Sequence, residues 1–148
     1  MNEMIFDANF LVALVDERDV WHSKAVTLLN ALRIKETKAV YLDCVLNEVI
    51  SVVGRRFEEK GRTNEFDGVL RKIKKKIPEG SITWVYPRVP ELYKAILNLV
   101  GEHKGKLNFH DALIALVSKE MRTKYIVSFD KDFNEIVWLK RINKETIE

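Results

Sequence analysis

The hydrophobic positions of the chain fall into short apolar runs separated by longer stretches with helical spacing. Four runs have the length and composition of strands: MIF at 4–6, which should be buried, AVYL at 39–42, ITWV at 82–85 and YIVSF at 125–129. A fifth segment, EIVWLKRI at 135–142, is predicted to form a strand at the edge of the sheet. The pattern therefore predicts four strands and a fifth, edge strand.

The stretches between these runs have the spacing of amphipathic helices. In VWHSKAVTLLNALRI, five apolar residues are predicted to share one helix face: Val20, Ala25, Leu28, Leu29 and Leu32. NFHDALIALVSKEM differs, because it is apolar on all sides behind its first residues and should be buried. The other predicted helices are NFLVALVDE, CVLNEVISVVGRRFEEK with Asp43 as its cap, NEFDGVLRKIKKKI and PELYKAILNLVGEH.

Strands that alternate with helices predict an α/β fold around a central, mostly parallel sheet of four or five strands. No repeat, low-complexity segment or long linker interrupts the sequence, so we expect a single domain over residues 1–148. No apolar stretch approaches the length of a membrane span, and residues 1–15 lack the basic start of a signal peptide. Cys44, the single cysteine, is expected to be a buried apolar residue in a reducing compartment, and we expect a cytoplasmic protein.

Positive charge is concentrated in one segment, residues 55–76. Nine lysines and arginines stand there against four acids, which gives the segment +5 and leaves −2 of the net +3 for the rest. Such an excess attracts a phosphate backbone, although a solvated helix surface has the same composition. The candidate RNA contacts in the segment are Arg55, Arg56, Arg71, Lys72 and Lys75.

Three aspartates are predicted to lie at the edge of the sheet where ligands bind. Asp7 follows the first strand, Asp130 follows YIVSF, and Asp111 lies in the first turn of the helix before that strand. Each has a structural alternative: Asp7 and Asp111 can stabilise helix starts, and Asp130 can sit in a turn. The individual residues leave both interpretations open, and their convergence favours a site.

Glu48 is the fourth candidate, because it lies on the shoulder of a helix face formed by valines, where a carboxylate would be partly buried. Acids gathered together take up protons or bind a cation. Oxygen ligands without a cysteine or histidine cluster indicate Mg²⁺ or Mn²⁺, and the three histidines are interpreted as surface or packing residues. With a basic segment nearby, this chemistry suits hydrolysis of nucleic-acid phosphodiesters.

With these acids in line, the chain resembles the PIN-domain nucleases, and among them the VapC-type toxins. The matching stretches are MIFDANFLVALVDERDVWHSKA, NEVISV, LNFHDALIALV and YIVSFDKDF, in the family's order over essentially the whole chain. The resemblance implies that four acids, Asp7, Glu48, Asp111 and Asp130, bind Mg²⁺ or Mn²⁺ and activate water. It also implies supporting roles for Asn9 and Ser128. Asp132 is expected to be structural, with replacement of Asp130 as the alternative.

The resemblance further implies an endoribonuclease acting on RNA, a homodimer, and inhibition by a small antitoxin protein of a VapBC-type pair. Two alternatives within the family are an RNA-processing nuclease without an antitoxin and a catalytically idle scaffold that binds RNA or protein. A phosphoacceptor domain is a third alternative, because such α/β domains also gather aspartates at strand ends. FDANF lacks the second aspartate that aspartyl-phosphate hydrolases place two residues after the nucleophile.

Overall fold

A five-stranded parallel sheet forms the centre of the computed structural model, which describes residues 2–143. The strands are β1 (Glu3–Phe6), β2 (Lys38–Leu42), β3 (Ile82–Thr83), β4 (Tyr125–Val127) and β5 (Lys140–Ile142). They lie in the order β3-β2-β1-β4-β5, and every neighbouring pair is parallel. The predicted α/β class and parallel sheet are therefore confirmed.

Six α-helices connect the strands: α1 (Ala8–Val15), α2 (His22–Ile34), α3 (Asp43–Glu59), α4 (Phe66–Lys76), α5 (Val89–Glu102) and α6 (Phe109–Met121). α1 packs against α2, α3 and α4, and α5 packs against α6. The chain moves outward from β1 to β3 and then returns across the sheet to β4. Because such crossovers are right-handed, the two helix groups cover opposite faces of the sheet.

The strand order reverses between β1 and β4, and this is where an open parallel sheet forms a crevice at its carboxyl edge. Ile5 pairs with Ile126, and Phe6 pairs with Val127. The residues that follow these strands, Asp7 and Ser128, therefore begin side by side. The fold brings the ends of two segments 120 residues apart to one place, and the acids of the sequence motifs follow them.

Two helices are buried nearly all round, and both carry an acid at their start. Seven of the eight residues of α1 are buried, and α6 is buried from Asp111 to Ala115. Asp7 caps α1, which is the structural alternative considered for it, and Asn108 caps α6. The apolar packing of α1, and of α6 from Asp111 onward, fixes the position of the acids at their starts.

Several predicted boundaries are wrong in ways that have a physical reason. β3 keeps only two of the four predicted residues and β5 only its last three, because each is an edge strand with one neighbour. Val20 precedes α2 and is 92% exposed, so it is not part of the buried face. Asp43 is the first residue of α3 rather than its cap, and its carboxylate accepts the backbone N–H groups of Val85 and Tyr86 beyond β3.

Cys44 is buried, and burial raises the pKa of its thiol to about 12, so it is a packing residue as predicted. Among the described residues, no helix has the length and apolar character needed to span a bilayer.

Candidate metal centre

Asp7 lies at the bottom of the crevice, between β1 and the start of α1. Its Oδ1 accepts the N–H of Ala8 at 2.8 Å, and its Oδ2 accepts the hydroxyl of Ser128 at 2.6 Å. Only 5% of the residue is exposed, and this burial raises the pKa of Asp7 to about 6 in spite of the two hydrogen bonds. Asp7 caps a helix, and the same carboxylate is held as a buried acid that is difficult to ionise.

Asp111 faces the same crevice from the first turn of α6. Its backbone N–H donates to Asn108 Oδ1 at 2.8 Å, but its carboxylate accepts no hydrogen bond from residues 2–143. The carboxylate of Asp111 therefore does not return a capping bond to the backbone of Asn108, and helix capping does not account for its position. Burial, together with the negative charges of Asp7 and Asp130, raises the pKa of Asp111 to about 7.

Glu48 enters from α3 and contacts His110, which the sequence pattern does not place in the site. Its Oε2 lies 2.8 Å from Nε2 of His110, the neighbour of Asp111. Burial disfavours the charged imidazole, but the hydrogen bond and charge of Glu48, together with the charges of Asp111 and Asp7, outweigh this effect and raise the pKa of His110. The interpretation of His110 as a surface or packing residue is corrected, because its ring joins α6 to α3 at the acidic site. No spacing in the sequence signals this contact.

Asp130 and Asp132 complete the acidic group on the far side of the crevice. Asp130 caps a short 3₁₀ helix, Lys131–Glu135, and its Oδ1 accepts the N–H of Asp132 at 2.9 Å. One carboxylate oxygen from each of Asp111, Asp130 and Asp132 lies within 4.8 Å of the others. Asp132 therefore fits both the structural role and the role of an acid in the site. Its backbone N–H binds the carboxylate of Asp130, and its own carboxylate lies in the acidic group.

Asn9 and Ser128 connect the two strand ends. Asn9 Oδ1 accepts the N–H of Phe129 at 3.0 Å, and its Nδ2 donates to Ser128 Oγ at 3.3 Å. Ser128 is fully buried, donates to Asp7, and its Oγ accepts the N–H of Asp130 at 3.0 Å. One hydroxyl therefore sets the geometry of two of the acids.

The donor set fits a hard divalent cation. The residues with metal-ligand spacing are Asp111, Asp130 and Asp132; Asp7 and Glu48 lie outside this trio, but the negative charges of Asp7, Asp130 and Glu48 all raise the pKa of Asp111. Oxygen donors are the ligands that Mg²⁺ and Mn²⁺ prefer. A cation among these groups would offset both their repulsion and their desolvation, which the attraction of His110 for Asp111 offsets only in part.

A groove extends from the acids along α3 toward the predicted basic segment. Its cavity of about 240 Å³ is lined by Asn9, Glu48, Trp21 and Arg56, among others. Arg56, however, donates to Asp16 at 2.9 Å and to Asp19 at 2.8 Å. The arginine at this end of the groove, Arg56, is therefore already paired with acids of the chain.

The rest of the basic segment divides into paired and exposed cations. Arg62 is buried against Asp16 and Glu65, and Lys72 lies 3.1 Å from Glu17. Of the predicted RNA contacts, Arg55, Arg71 and Lys75 are exposed, whereas Arg56 and Lys72 are held by acids of the chain itself. Much of the local charge excess thus stabilises the packing of α3 and α4 around the loop after α1.

Comparison with known proteins identifies the family. Residues 4–139 match the sequence model of the PIN domain, and the chain belongs to the PIN domain family. A comparison with curated proteins gave no match.

Two solved structures share the fold. Mycobacterium tuberculosis VapC20, described as a toxin that cleaves the sarcin-ricin loop, gives a TM-score of 0.69 at 17% identity, over 92% of this chain and 96% of that chain. VapBC2 from Rickettsia felis, solved bound to a DNA fragment from its promoter, gives 0.68 at 15% identity, over 95% and 98%. At these identities the likeness is one of fold.

Proposed function

We propose that this protein is a metal-dependent endoribonuclease and the toxin component of a VapBC-type toxin–antitoxin pair. The observation that carries the proposal is the convergence of Asp7, Glu48, Asp111 and Asp130 on one crevice at the carboxyl edge of the sheet. Two caps, one first-turn residue and one helix-face residue would have no structural reason to meet, whereas a phosphodiester hydrolase of the PIN family needs such a group.

Each acid has a distinct part in this proposal. Asp7 and Asp111, whose pKa values burial raises to about 6 and about 7, would hold a divalent ion as ionised ligands and release their protons when it binds. Asp130 closes the group from the opposite side, with Asp132 beside it. Bound Mg²⁺ or Mn²⁺ would supply activation of water and neutralisation of the charge that develops on the phosphodiester.

Glu48 is the acid best placed to face the substrate. Its side chain is 44% exposed at the mouth of the groove, and it lies against His110. Ser128 and Asn9 orient Asp7 and the backbone before Asp130, so they position ligands without reaching the substrate. We assign RNA contact on the outer helices to the exposed Arg55, Arg71 and Lys75, and a structural role to Arg56 and Lys72.

The toxin assignment rests on the structural neighbours. VapC20 is described as an RNA-loop-cleaving toxin, and VapBC2 as a complex on its promoter DNA. By analogy, we propose an antitoxin partner, a homodimeric state and action in the cytoplasm.

Cleavage of RNA with and without divalent ion tests the proposal. We expect the wild-type chain to cleave single-stranded RNA with Mg²⁺ or Mn²⁺ and to be inactive with EDTA. Asp111→Asn keeps the size of the side chain and should lose at least about 100-fold in turnover. Asp67→Asn, which removes an exposed acid on α4, is the matched control. Undiminished cleavage by Asp111→Asn would overturn the proposal.

A further inference from the structure

A second cavity lies at the amino edge of the sheet, away from the acids. It has a volume of about 830 Å³ and lies between the end of α6, the start of β4 and the segment that leads into β5. Five cations line it: Lys119, Arg122, Lys124, Lys140 and Arg141. We refer to this cavity as the basic cleft.

The charge of the basic cleft is not neutralised by acids among residues 2–143. No aspartate or glutamate lines it, and within residues 2–143 none of its five cations forms a salt bridge. The segment 55–76 differs, because Arg56, Arg62 and Lys72 there are paired with acids. Five unpaired cations around one concave surface attract a polyanion more strongly than the same charges on a flat or neutralised surface.

An aromatic ring stands in the same wall. The indole N–H of Trp138 donates to the carbonyl of Ala115 at 2.8 Å, which fixes the ring against α6. The ammonium group of Lys119 lies 4.7 Å from the centre of this ring. Trp138 is half-buried, and the adjacent Val137 is 95% exposed. A fixed aromatic side chain among lysines and arginines is the combination that binds a nucleotide strand through its phosphates and one stacked base.

The basic cleft is joined to the acidic crevice through β5. Arg141 lines the cleft and donates from Nη1 to the carbonyl of Ser128 at 3.2 Å. The hydroxyl of Ser128 in turn binds Asp7. Since β4 and β5 are three residues long, only about 10 Å of strand separates the two edges of the sheet here. A single polynucleotide strand can therefore occupy both places.

We propose that the basic cleft binds the phosphate backbone of the RNA strand outside the cleavage site, as an anchoring site for the substrate. This inference rests on the proposed ribonuclease function. An acidic peptide would match the charge, but it offers no planar groups for Trp138 and no reason for the cleft to lie within one short strand of the acids. RNA supplies phosphates at a regular repeat, bases for stacking, and continuity with the site.

RNA binding without divalent ion tests the proposal separately from catalysis. The probe is a fluorescently labelled 20-nucleotide single-stranded RNA, titrated with protein in EDTA at several salt concentrations. The test variant is Lys124→Glu with Lys140→Glu, two exposed residues in the cleft. The control is Lys60→Glu with Lys94→Glu, two exposed lysines outside the cleft, which makes the same change in net charge.

We expect the cleft variant to lose at least tenfold in affinity at low salt and the control less than threefold. Two lost phosphate contacts should also reduce the slope of log affinity against log salt by about 1.4, at about 0.7 per contact for a single strand. Lys124→Gln with Lys140→Gln should give a smaller loss in the same direction and guards against misfolding of the reversed variant, which a thermal melt checks.

Equal RNA affinity of wild type and cleft variants would overturn the proposal. So would a loss of poly-glutamate binding in the cleft variants with RNA binding unchanged, which would assign the cleft to an acidic protein. Because no divalent ion is present, a loss of RNA binding supports the anchoring site whether or not the wild-type chain cleaves RNA, and a failure of cleavage alone concerns only the metal centre.

Discussion

The buried carboxylate of Asp7 should make the metal-free protein less stable as the pH rises. Its pKa is about 6 in the folded chain, against 3.8 for the unperturbed group. Between these values the folded chain holds a proton that the unfolded chain has released, so the free energy of unfolding falls as the pH rises through this window. The difference in pKa corresponds to about 3 kcal/mol, lost in full above about pH 7.

Asp7→Asn removes this effect, because the amide has nearly the same shape and no charge to bury. In EDTA, we expect the variant to gain about 2 kcal/mol relative to wild type between pH 4.5 and pH 8, because the unfolded chain is already largely ionised at pH 4.5. Asp111 acts in the same direction, since loss of the Asp7 charge also lowers the pKa of Asp111. Urea unfolding of both proteins at the two pH values gives the difference directly.

Two further measurements separate burial of Asp7 from a general effect of charge: an exposed acid is neutralised, and Mn²⁺ is added. Asp67→Asn removes one exposed acid and should not change the pH dependence. Saturating Mn²⁺ should stabilise the wild type at pH 8 and stabilise Asp7→Asn much less. If wild type and Asp7→Asn differ by the same amount at pH 4.5 and pH 8, burial of Asp7 does not oppose its ionisation and the reasoning is refuted.

Two further substitutions test the framework of the site. Arg62→Ala should destabilise the fold by about 3 kcal/mol, because it removes a partner of Asp16, whose side chain is fully buried. The control Arg55→Ala changes an exposed arginine of α3 and should alter stability by less than about 0.5 kcal/mol. Equal urea midpoints for the two variants would contradict the role of Arg62. Ser128→Ala removes the hydroxyl that lowers the pKa of Asp7, so the affinity for Mn²⁺ should fall about 10- to 100-fold and the rise of this affinity with pH should move to higher pH. In calorimetry, Ser128→Thr, which keeps a hydroxyl, should retain most of the affinity. An unchanged pH profile for Ser128→Ala would contradict the contact between Ser128 and Asp7.

The sequence is sufficient to predict the parts of the site that local rules control. Asp7 follows the buried strand β1. Asp111 lies in the first turn of the helix that leads into β4, and Asp130 follows β4, so the parallel strands bring these acids to one edge of the sheet. The contact of Glu48 with His110 joins α3 to α6 across the crevice, and its existence depends on the relative placement of two helices that no periodicity specifies.

Composition alone does not tell which cations of the basic segment are free to bind RNA. Composition marks residues 55–76 as strongly basic, but pairing of Arg56 with Asp16 and Asp19 depends on the loop after α1 folding back onto α3. The cations of the basic cleft are spread between residues 119 and 141 and form no run in the sequence, so only the fold brings them together. Edge strands are also poorly predicted, because β3 and β5 have one neighbour each and end where pairing ends.

Proton release on Mn²⁺ binding is the most direct test of the acidic crevice as a metal centre. At pH 6.5, pKa values of about 6 for Asp7 and about 7 for Asp111 leave roughly one proton shared between them, which the ion must displace. Calorimetric titration in buffers of different ionisation enthalpy measures that number. We expect roughly one proton released per protein at pH 6.5, almost none at pH 9, and loss of binding in Asp111→Asn. Absence of Mn²⁺ binding, or binding that Asp111→Asn leaves unchanged, would contradict the account.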